Sequence, residues 1–580
     1  MKSKYRDYLS LKYQLPKKSK TWNMYGAGVE NIGKGDKPEI IDIPQPNDDQ
    51  ILVRIDAVGL CFSDVKLIKQ GSAHPKLYNR DLKKEPSRLG HEASLTVVKV
   101  GKNLRDRFAP AQRYAMQPDI YQKGISTAYG YTIPGGLIQY HLIGKEILET
   151  DAGSCLLRVD DGMGIGESAL LEPWGCVFAA YTQRRRLTPK KDGIMWIVGN
   201  SQAPDDLLFS SGLERPKIVY LSDVPKDLES KVREYPCETK IRNNMELSNY
   251  KKFAQEATGG KGFDDIVLLN PTKALQVETI ARFIARRGTM NIVGTKPLDR
   301  LVMADVGRLH YDYTAYLGTK TKDIANSYGE ARNRCDLLPN GSAAFIGAGG
   351  PMGQMHVQRA IEKEDGPKLV IVTDINDKRL NEMKLRFLPM AEKHNRKVLI
   401  FNPLASKTSF FDFVQKATNG KNLTDVVVCV PNKDIMAEAA TLMDNDAMLV
   451  FFAGVPNGTL APLDFSIVYL NNAQYTGTSG LTIEDQKRVM SASLSKQIDP
   501  ARSIAAIGGM DVAKEGIEAM MKNAYPGKIM IFPQLTDLPL MGVDEIKDNI
   551  PDIASALIDG YGWSKEAEQE LIDKFWELQK

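Results

Sequence analysis

Cys61, Ser63, His91, Glu92 and Glu172 are the residues of this chain whose types could do metal chemistry. Thiolate, imidazole and carboxylate form the donor set of an open catalytic zinc site, which keeps one position for water or substrate. A cation held in that way polarises a carbonyl or lowers the pKa of a bound hydroxyl. Spacing alone does not bring the donors together, since 30 residues separate Cys61 from His91 and 80 separate Glu92 from Glu172. Each has a plainer role open to it. Cys61 can be a small buried hydrophobe, His91 a hydrogen-bonded loop histidine, Ser63 a cap or turn residue, and Glu172 an acid that complements a helix start. His74, His141, His310, His356 and His394 show no partner pattern.

A second constellation lies further along. Ser342-Ala-Ala-Phe-Ile-Gly-Ala-Gly-Gly-Pro-Met-Gly353 runs from an apolar strand into a glycine-dense turn, and a helix is predicted from Met352 to about Glu362. Leu369-Val-Ile-Val-Thr-Asp374 then reads as a second strand ending on an acid, 21 residues beyond Gly353. Strand, turn, helix, strand and acid in that order make a unit able to hold a dinucleotide. Gly347, Gly349, Gly350 and Gly353 let the backbone approach a pyrophosphate, Pro351 and Met352 open the helix whose N–H groups would hold it, and Asp374 would accept from ribose hydroxyls. The strict Gly-x-Gly-x-x-Gly spacing is not met, because Ala348 stands in its first position and Gly347 is one residue early.

The elements that must position these residues fall into a β-rich part and a repeated part. Short β runs such as Ile51-Leu-Val-Arg-Ile-Asp-Ala-Val58 and Ala93-Ser-Leu-Thr-Val-Val-Lys-Val100, broken by glycine and proline, surround the first constellation. From Asp192 strand and helix signals alternate, which implies parallel sheets, and the alternation happens twice. Phe253-Ala-Gln-Glu-Ala-Thr-Gly-Gly-Lys261 returns as Phe413-Val-Gln-Lys-Ala-Thr-Asn-Gly-Lys421; Pro271 matches Pro431 and Gly294 matches Gly454, all at an offset of 160. Residues of about 190–330 and 337–490 therefore read as tandem copies of one doubly wound fold. In the first copy the glycine turn is replaced by Val198-Gly-Asn-Ser-Gln-Ala-Pro-Asp-Asp206, whose two carboxylates would repel phosphate. The second copy is thus the expected cofactor carrier. After Ser495, Ile507–Met521 is predicted as an amphipathic helix and Gly527–Pro533 as a strand returning to the β-rich part. Residues 540–580 read as helical, with no motif.

Composition sets outer limits. With 580 residues the chain exceeds a single core, and 43% hydrophobic with 26% charged residues is ordinary globular composition. The 76 basic and 72 acidic side chains leave +4 with no charge blocks, so no nucleic-acid or membrane footprint is expected. No apolar run is long enough for a membrane span and no signal peptide is read at the start, so a cytoplasmic protein is expected. Six scattered cysteines without Cys-x-x-Cys spacing speak against disulfides and against a four-cysteine zinc lobe.

Gly59-Leu-Cys-Phe-Ser-Asp-Val65, Gly90-His-Glu-Ala-Ser94 with Val97-Val-Lys-Val-Gly101, and Leu171-Glu-Pro-Trp174 together resemble the zinc-dependent medium-chain dehydrogenase/reductase superfamily, on its polyol dehydrogenase side. Gly350-Pro-Met-Gly353, Val372-Thr-Asp-Ile-Asn-Asp377, Phe451-Phe-Ala-Gly454, Ala461-Pro-Leu-Asp-Phe465, Gly477-Thr-Ser-Gly480 and Ile507-Gly-Gly-Met-Asp511 narrow the likeness to the L-sorbose-1-phosphate reductase group. The resemblance implies an α/β protein: a β-rich GroES-like catalytic domain plus two tandem doubly wound Rossmann-like domains. It assigns Cys61, His91 and Glu172 to the catalytic zinc, and Glu92 to the acid that binds it directly or through water. Ser63 becomes the hydroxyl that passes the substrate proton toward solvent, and Gly454 and Thr478 join the cofactor set. Residue 95 is Leu where many members have Gly. The basic insertion 72–88 either brings a cation to a phosphorylated substrate or is a solvated loop.

The expected boundaries are 1–189 for the N-terminal catalytic part, 190–336 for the degenerate copy, 337–494 for the dinucleotide-binding copy, and 495–580 for the return and a helical extension. The expected activity moves hydride between NAD(P) and a secondary hydroxyl of a sugar, polyol or sugar phosphate. The alternatives are an alcohol or amino-acid dehydrogenase of the same superfamily and a non-catalytic nucleotide-sensing protein. Asp374 would repel a 2′-phosphate and so favours NAD, whereas the resembled group is associated with NADPH. Nucleotide-binding domains of the superfamily pair edge to edge across homodimers, so the first copy is expected either to occupy that partner face within one chain, as a monomeric pseudo-dimer, or to leave the face to a homo-oligomer. Another arrangement would put the first copy over the catalytic cleft.

Overall fold

Two long antiparallel strands, Ile51–Gly59 and Glu92–Val100, carry the first constellation on their ends, with Gly59 opposite Glu92 in register. The first is buried along its whole length, as a strand must be when both its faces are covered. They belong to an eight-stranded sheet that runs Leu156–Arg158, Arg113–Met116, Glu92–Val100, Ile51–Gly59, Lys528–Phe532, Ile504–Gly509, Met541–Gly542, with Tyr140–Ile143 also paired to Ile51–Gly59. The computed structural model describes residues 4–182, 186–199 and 206–577. The chain divides into two compact units, one of 1–178, 350–355 and 480–580, the other of 179–349 and 356–479.

Two sequence expectations change in the first unit. Ile504-Ala-Ala-Ile-Gly-Gly509 is a strand parallel to Lys528–Phe532, and the predicted helix starts only at Ala513. The run is fully buried between neighbouring strands, so sheet pairing overrides its helical spacing. The return also begins earlier than the expected boundary at 494, since the helix Ile483–Leu494 packs with the first unit. Gln486, on that helix, donates to the Met116 carbonyl at 2.9 Å, and Gln117 donates to the Leu481 carbonyl at 3.1 Å. In the extension, the helix Lys565–Phe575 buries Glu568, whose carboxylate accepts from the backbone N–H groups of Ile165 and Gly166 at 2.6 and 2.7 Å.

The second unit holds both copies. Each is a six-stranded parallel sheet whose spatial order is third, second, first, fourth, fifth, sixth strand. In the first copy the central strands are Ile194–Val198 and Phe263–Leu269, and in the second they are Ser342–Ile346 and Leu423–Val428. The sixth strands, Ala315–Thr319 and Gln474–Gly477, lie beside each other. Val302–Asp305 pairs antiparallel with Leu460–Leu463, and one apolar core runs through both copies. The sixth-strand edge of each copy therefore lies against the other copy within the chain. The glycine-turn contrast read over 200–205 lies outside the described residues; Asp206, at its end, forms an ion pair with Lys322.

Candidate active site

Cys61 stands at the cap position of the helix Phe62–Gln70. Asp64, in the first turn, accepts from the Cys61 backbone N–H at 3.3 Å with one oxygen and holds His91 Nδ1 at 3.1 Å with the other. One fully buried carboxylate thus fixes the helix start and aims the imidazole, leaving Nε2 for the site. His91 and Glu92 follow Gly90, whose φ of +94° no side chain accepts readily and where a Cβ would press on Val58 at 2.8 Å.

Cys61, His91 and Glu92 each offer a ligand atom, and these atoms lie within 4.8 Å of one another. Ser63 Oγ bridges two of them, 3.1 Å from Cys61 Sγ and 3.4 Å from His91 Nε2. Glu92 is wholly buried; Oε1 accepts from Lys528 Nζ, and Oε2 has no hydrogen-bond partner among the described residues. A buried carboxylate oxygen left bare is costly unless a cation or donor meets it. With a soft thiolate and an oriented imidazole beside it, the donor set fits a zinc ion.

Glu172, in the first turn of the helix Leu171–Thr182, lies outside that triplet but within its field. Burial pushes its carboxyl up to about 7, with His91 pulling down and Glu92 pushing up. Burial also raises the Cys176 thiol, which touches Glu172 at 3.8 Å. For His91, burial opposes the charge, but the Asp64 carboxylate and the Cys61 thiolate outweigh it and raise the imidazole. Lys528 keeps its charge although 2% exposed, because Cys61 and Glu92 outweigh desolvation. Sequence reasoning missed Asp64 and Lys528 as members of the site. Lys528 is 436 residues from Glu92, and only the strand pairing of Ile531 with Val58 brings it back.

The basic insertion is largely spent. Lys76 pairs with Asp119 at 3.0 Å, Arg80 donates to the Thr132 carbonyl at 2.7 Å, and buried Arg88 donates to the Gly135 carbonyl at 2.6 Å. Lys83 is exposed. Three of its five cations are thus tied into the protein itself, and only Lys83 and Lys84 stand in solvent as the solvated-loop reading has it.

In the second copy Gly347 takes a φ of +68° and donates to Thr373 Oγ1 at 3.2 Å, while Gly349 donates to Asp374 Oδ2 at 2.9 Å. The helix Pro351–Glu362 places Pro351 at its first position, where proline costs no hydrogen bond. Met352 and Gly353 lie in its first turn, and Gly350 leaves open space beside its Cα. Asp374 also accepts from Asn376 N at 2.9 Å and has Arg379 Nη1 4.0 Å away. Thr478, just past the sixth strand, buries a hydroxyl that has no partner among the described residues. These features fit a dinucleotide. Gly454 is pressed by the first copy, with His310 Nε2 2.7 Å from where its Cβ would stand. His310 in turn holds the Phe451 carbonyl at 3.1 Å.

Residues 47–148 match the alcohol dehydrogenase GroES-like domain. The L-sorbose 1-phosphate reductase of Klebsiella pneumoniae is 22% identical over 93% of this chain and 95% of its own length. The mannitol-1-phosphate 5-dehydrogenase of Aliivibrio fischeri is 20% identical over 92% of this chain and 93% of its own. Among solved structures, an alcohol dehydrogenase from Thermus sp. ATN1 aligns with a TM-score of 0.49 and 13% identity, covering 88% of this chain and 99% of that one.

Proposed function

We infer that this chain, which belongs to the zinc-type medium-chain dehydrogenase/reductase superfamily and is an NAD(P)-linked alcohol or polyol dehydrogenase, acts on a secondary hydroxyl or ketone of a phosphorylated sugar or polyol. The observation that carries the reading is the meeting of Cys61, His91 and Glu92 around the bare Glu92 Oε2. Cys61, His91 and Glu92 would hold the zinc, with Glu172 beside them, and the second copy would hold the nicotinamide cofactor. When bound, zinc supplies Lewis acidity and the cofactor accepts or gives the hydride. The chain's own residues set the stage for that exchange. Asp64 keeps His91 Nδ1 protonated and the ring oriented. Lys528 pairs with one oxygen of Glu92 inside the buried site, which offsets the cost of burying that carboxylate. Ser63 Oγ lies against both the thiolate and the imidazole, where it can take a proton from the substrate hydroxyl and hand it on.

The two relatives named for phosphorylated substrates support the phosphate in the reading. The cofactor is NAD or NADP: Asp374 would accept from ribose hydroxyls, and Arg379, 4.0 Å from it, would meet a 2′-phosphate. The test is a panel of hexitols and ketohexoses, each with and without a terminal phosphate, assayed with NAD(H) and NADP(H) on protein of known metal content. One zinc per chain and at least a hundredfold higher kcat/KM for a phosphorylated member are expected. Equal kcat/KM for the two members of every pair would remove the phosphate from the reading, and full activity of Cys61→Ala would remove the metal.

A further inference from the structure

We propose that a cavity of about 390 Å³ where the two Rossmann-like copies meet is a binding site for a phosphate monoester. The first copy lines it with Arg186, Lys190, Arg286, Arg287 and Tyr313, and the second with Thr476 and Gly477. Two of the cations are already matched. Arg186 pairs with buried Asp265 at 2.7 Å, and Lys190 pairs with Asp264 at 2.6 Å. Arg286 and Arg287 are exposed, stand 5.4 and 4.5 Å from the centre of the Tyr313 ring, and have no carboxylate partner among the described residues. Among the described residues, four positive and two negative side chains leave two positive charges, the complement of a phosphate monoester dianion. Two adjacent guanidinium forks give the bidentate geometry that phosphate oxygens accept.

The second copy supplies an internal control. Its equivalent corner keeps the buried pair, with Arg334 donating to Asp425 at 2.6 Å as Arg186 does to Asp265. The turn that precedes the long fifth strand residues differs. Arg287 has a φ of +59° where the second copy has Asp446 at +57°, and Tyr313 has +52° where the second copy has Asn472 at +58°. Asn472 donates to Asp446 at 2.7 Å and closes that corner on itself. Left-handed backbone is tolerated by Asn and Asp and disfavoured by larger side chains. The first copy thus places Arg and Tyr at two positions that its sister fills with the locally favoured residues, and exchanges an acidic corner for a basic one.

Thr476 and Gly477 are the last residues of the strand Gln474–Gly477, so the cavity lies at the carboxyl end of that strand and at the amino end of the first copy's Ala315–Thr319. It is not the site for the cofactor's pyrophosphate. Two strands intervene between Ser342–Ile346, which leads to the glycine turn, and Gln474–Gly477, so the two points are roughly 14 Å apart at the usual strand spacing. Binding of an anion here does not depend on the activity inferred above; only the identity of the ester as the substrate rests on that reading.

The test uses the intact protein and two probes, inorganic phosphate and a hexitol phosphate, titrated calorimetrically into wild type, Arg286→Ala/Arg287→Ala and Arg286→Lys/Arg287→Lys. Both arginines are exposed, and thermal melts check that the variants fold. Wild type is expected to bind both probes, the alanine pair at least tenfold more weakly, and the lysine pair in between. The kinetic arm compares the hexitol phosphate with the free hexitol. A tenfold or larger rise in KM for the ester alone, with kcat held, assigns the site to the substrate's phosphate. Weakened phosphate binding with unchanged KM assigns it to a separate phosphorylated metabolite, and absence of turnover of any phosphorylated polyol would sink the inferred activity while leaving this site standing. Equal affinity of wild type and the alanine pair for phosphate, or no binding by wild type, would overturn the proposal.

Discussion

Asp64 and Lys528 hold the residues that would touch the metal. Asp64→Asn keeps the shape but turns an acceptor toward both the Cys61 N–H and His91 Nδ1 into a mixed group, so zinc affinity should fall about 10- to 100-fold. Competition with a chromophoric chelator measures this, and an unchanged affinity would show that His91 is held by its packing alone. Lys528→Met should leave the Glu92 carboxylate buried without its cation and cost roughly 3–5 kcal/mol of stability in metal-free protein. Zinc should restore much of that loss, which chemical denaturation with and without metal will show. Cys61, His91, Glu92 and Ser63 were legible because each stands in a short, distinctive word of sequence. Asp64 stood in the same word as Cys61, yet its two acceptor roles belong to three-dimensional contacts. Lys528 gave no local signal at all, since a lysine opening a strand is ordinary until the strand is placed.

At the scale of elements, the last helix, Lys565–Phe575, shows how a motif-free segment earns its place. Its Glu568 is the acceptor for two backbone N–H groups at the start of the short helix Ile165–Ala169, which leads into the helix bearing Glu172. Burial pushes the Glu568 carboxyl up to about 7 from 4.5, against the pull of the Gly166 and Ile165 N–H groups. The folded state therefore holds this proton more tightly than the unfolded chain does. The resulting stabilisation is complete below pH 4.5 and is lost as the pH rises through 7, an effect on the order of 3 kcal/mol. Glu568→Gln should flatten that part of the stability profile relative to wild type, and parallel profiles would remove Glu568 as its source. The strand at Ile504–Gly509 teaches the complementary lesson. Its apolar spacing suited a helix, and only the neighbouring strands decided otherwise.

At the scale of the molecule, the tandem repeat was the most legible feature, because a constant offset survives even where individual residues change. Both sheets have the expected doubly wound order, and their sixth strands and the ribbon of Val302–Asp305 with Leu460–Leu463 meet inside one chain. What the offset could not reveal was that the two copies share one core. Sedimentation velocity is accordingly expected to find a single species of one-chain mass over a wide range of concentration. A dimer that persists on dilution would show that another face is used. Ala461→Asp, at a fully buried position in the ribbon, should destabilise both copies together, read as one cooperative loss in thermal denaturation.

The ribbon has a further consequence for what such a protein can become. When two identical subunits meet about an axis, every substitution at their junction is made twice and must suit both halves at once. Joining the halves end to end in one gene removes that rule. Each side of the seam can then change alone, so one corner can stay acidic and tied to itself while its counterpart gathers arginines.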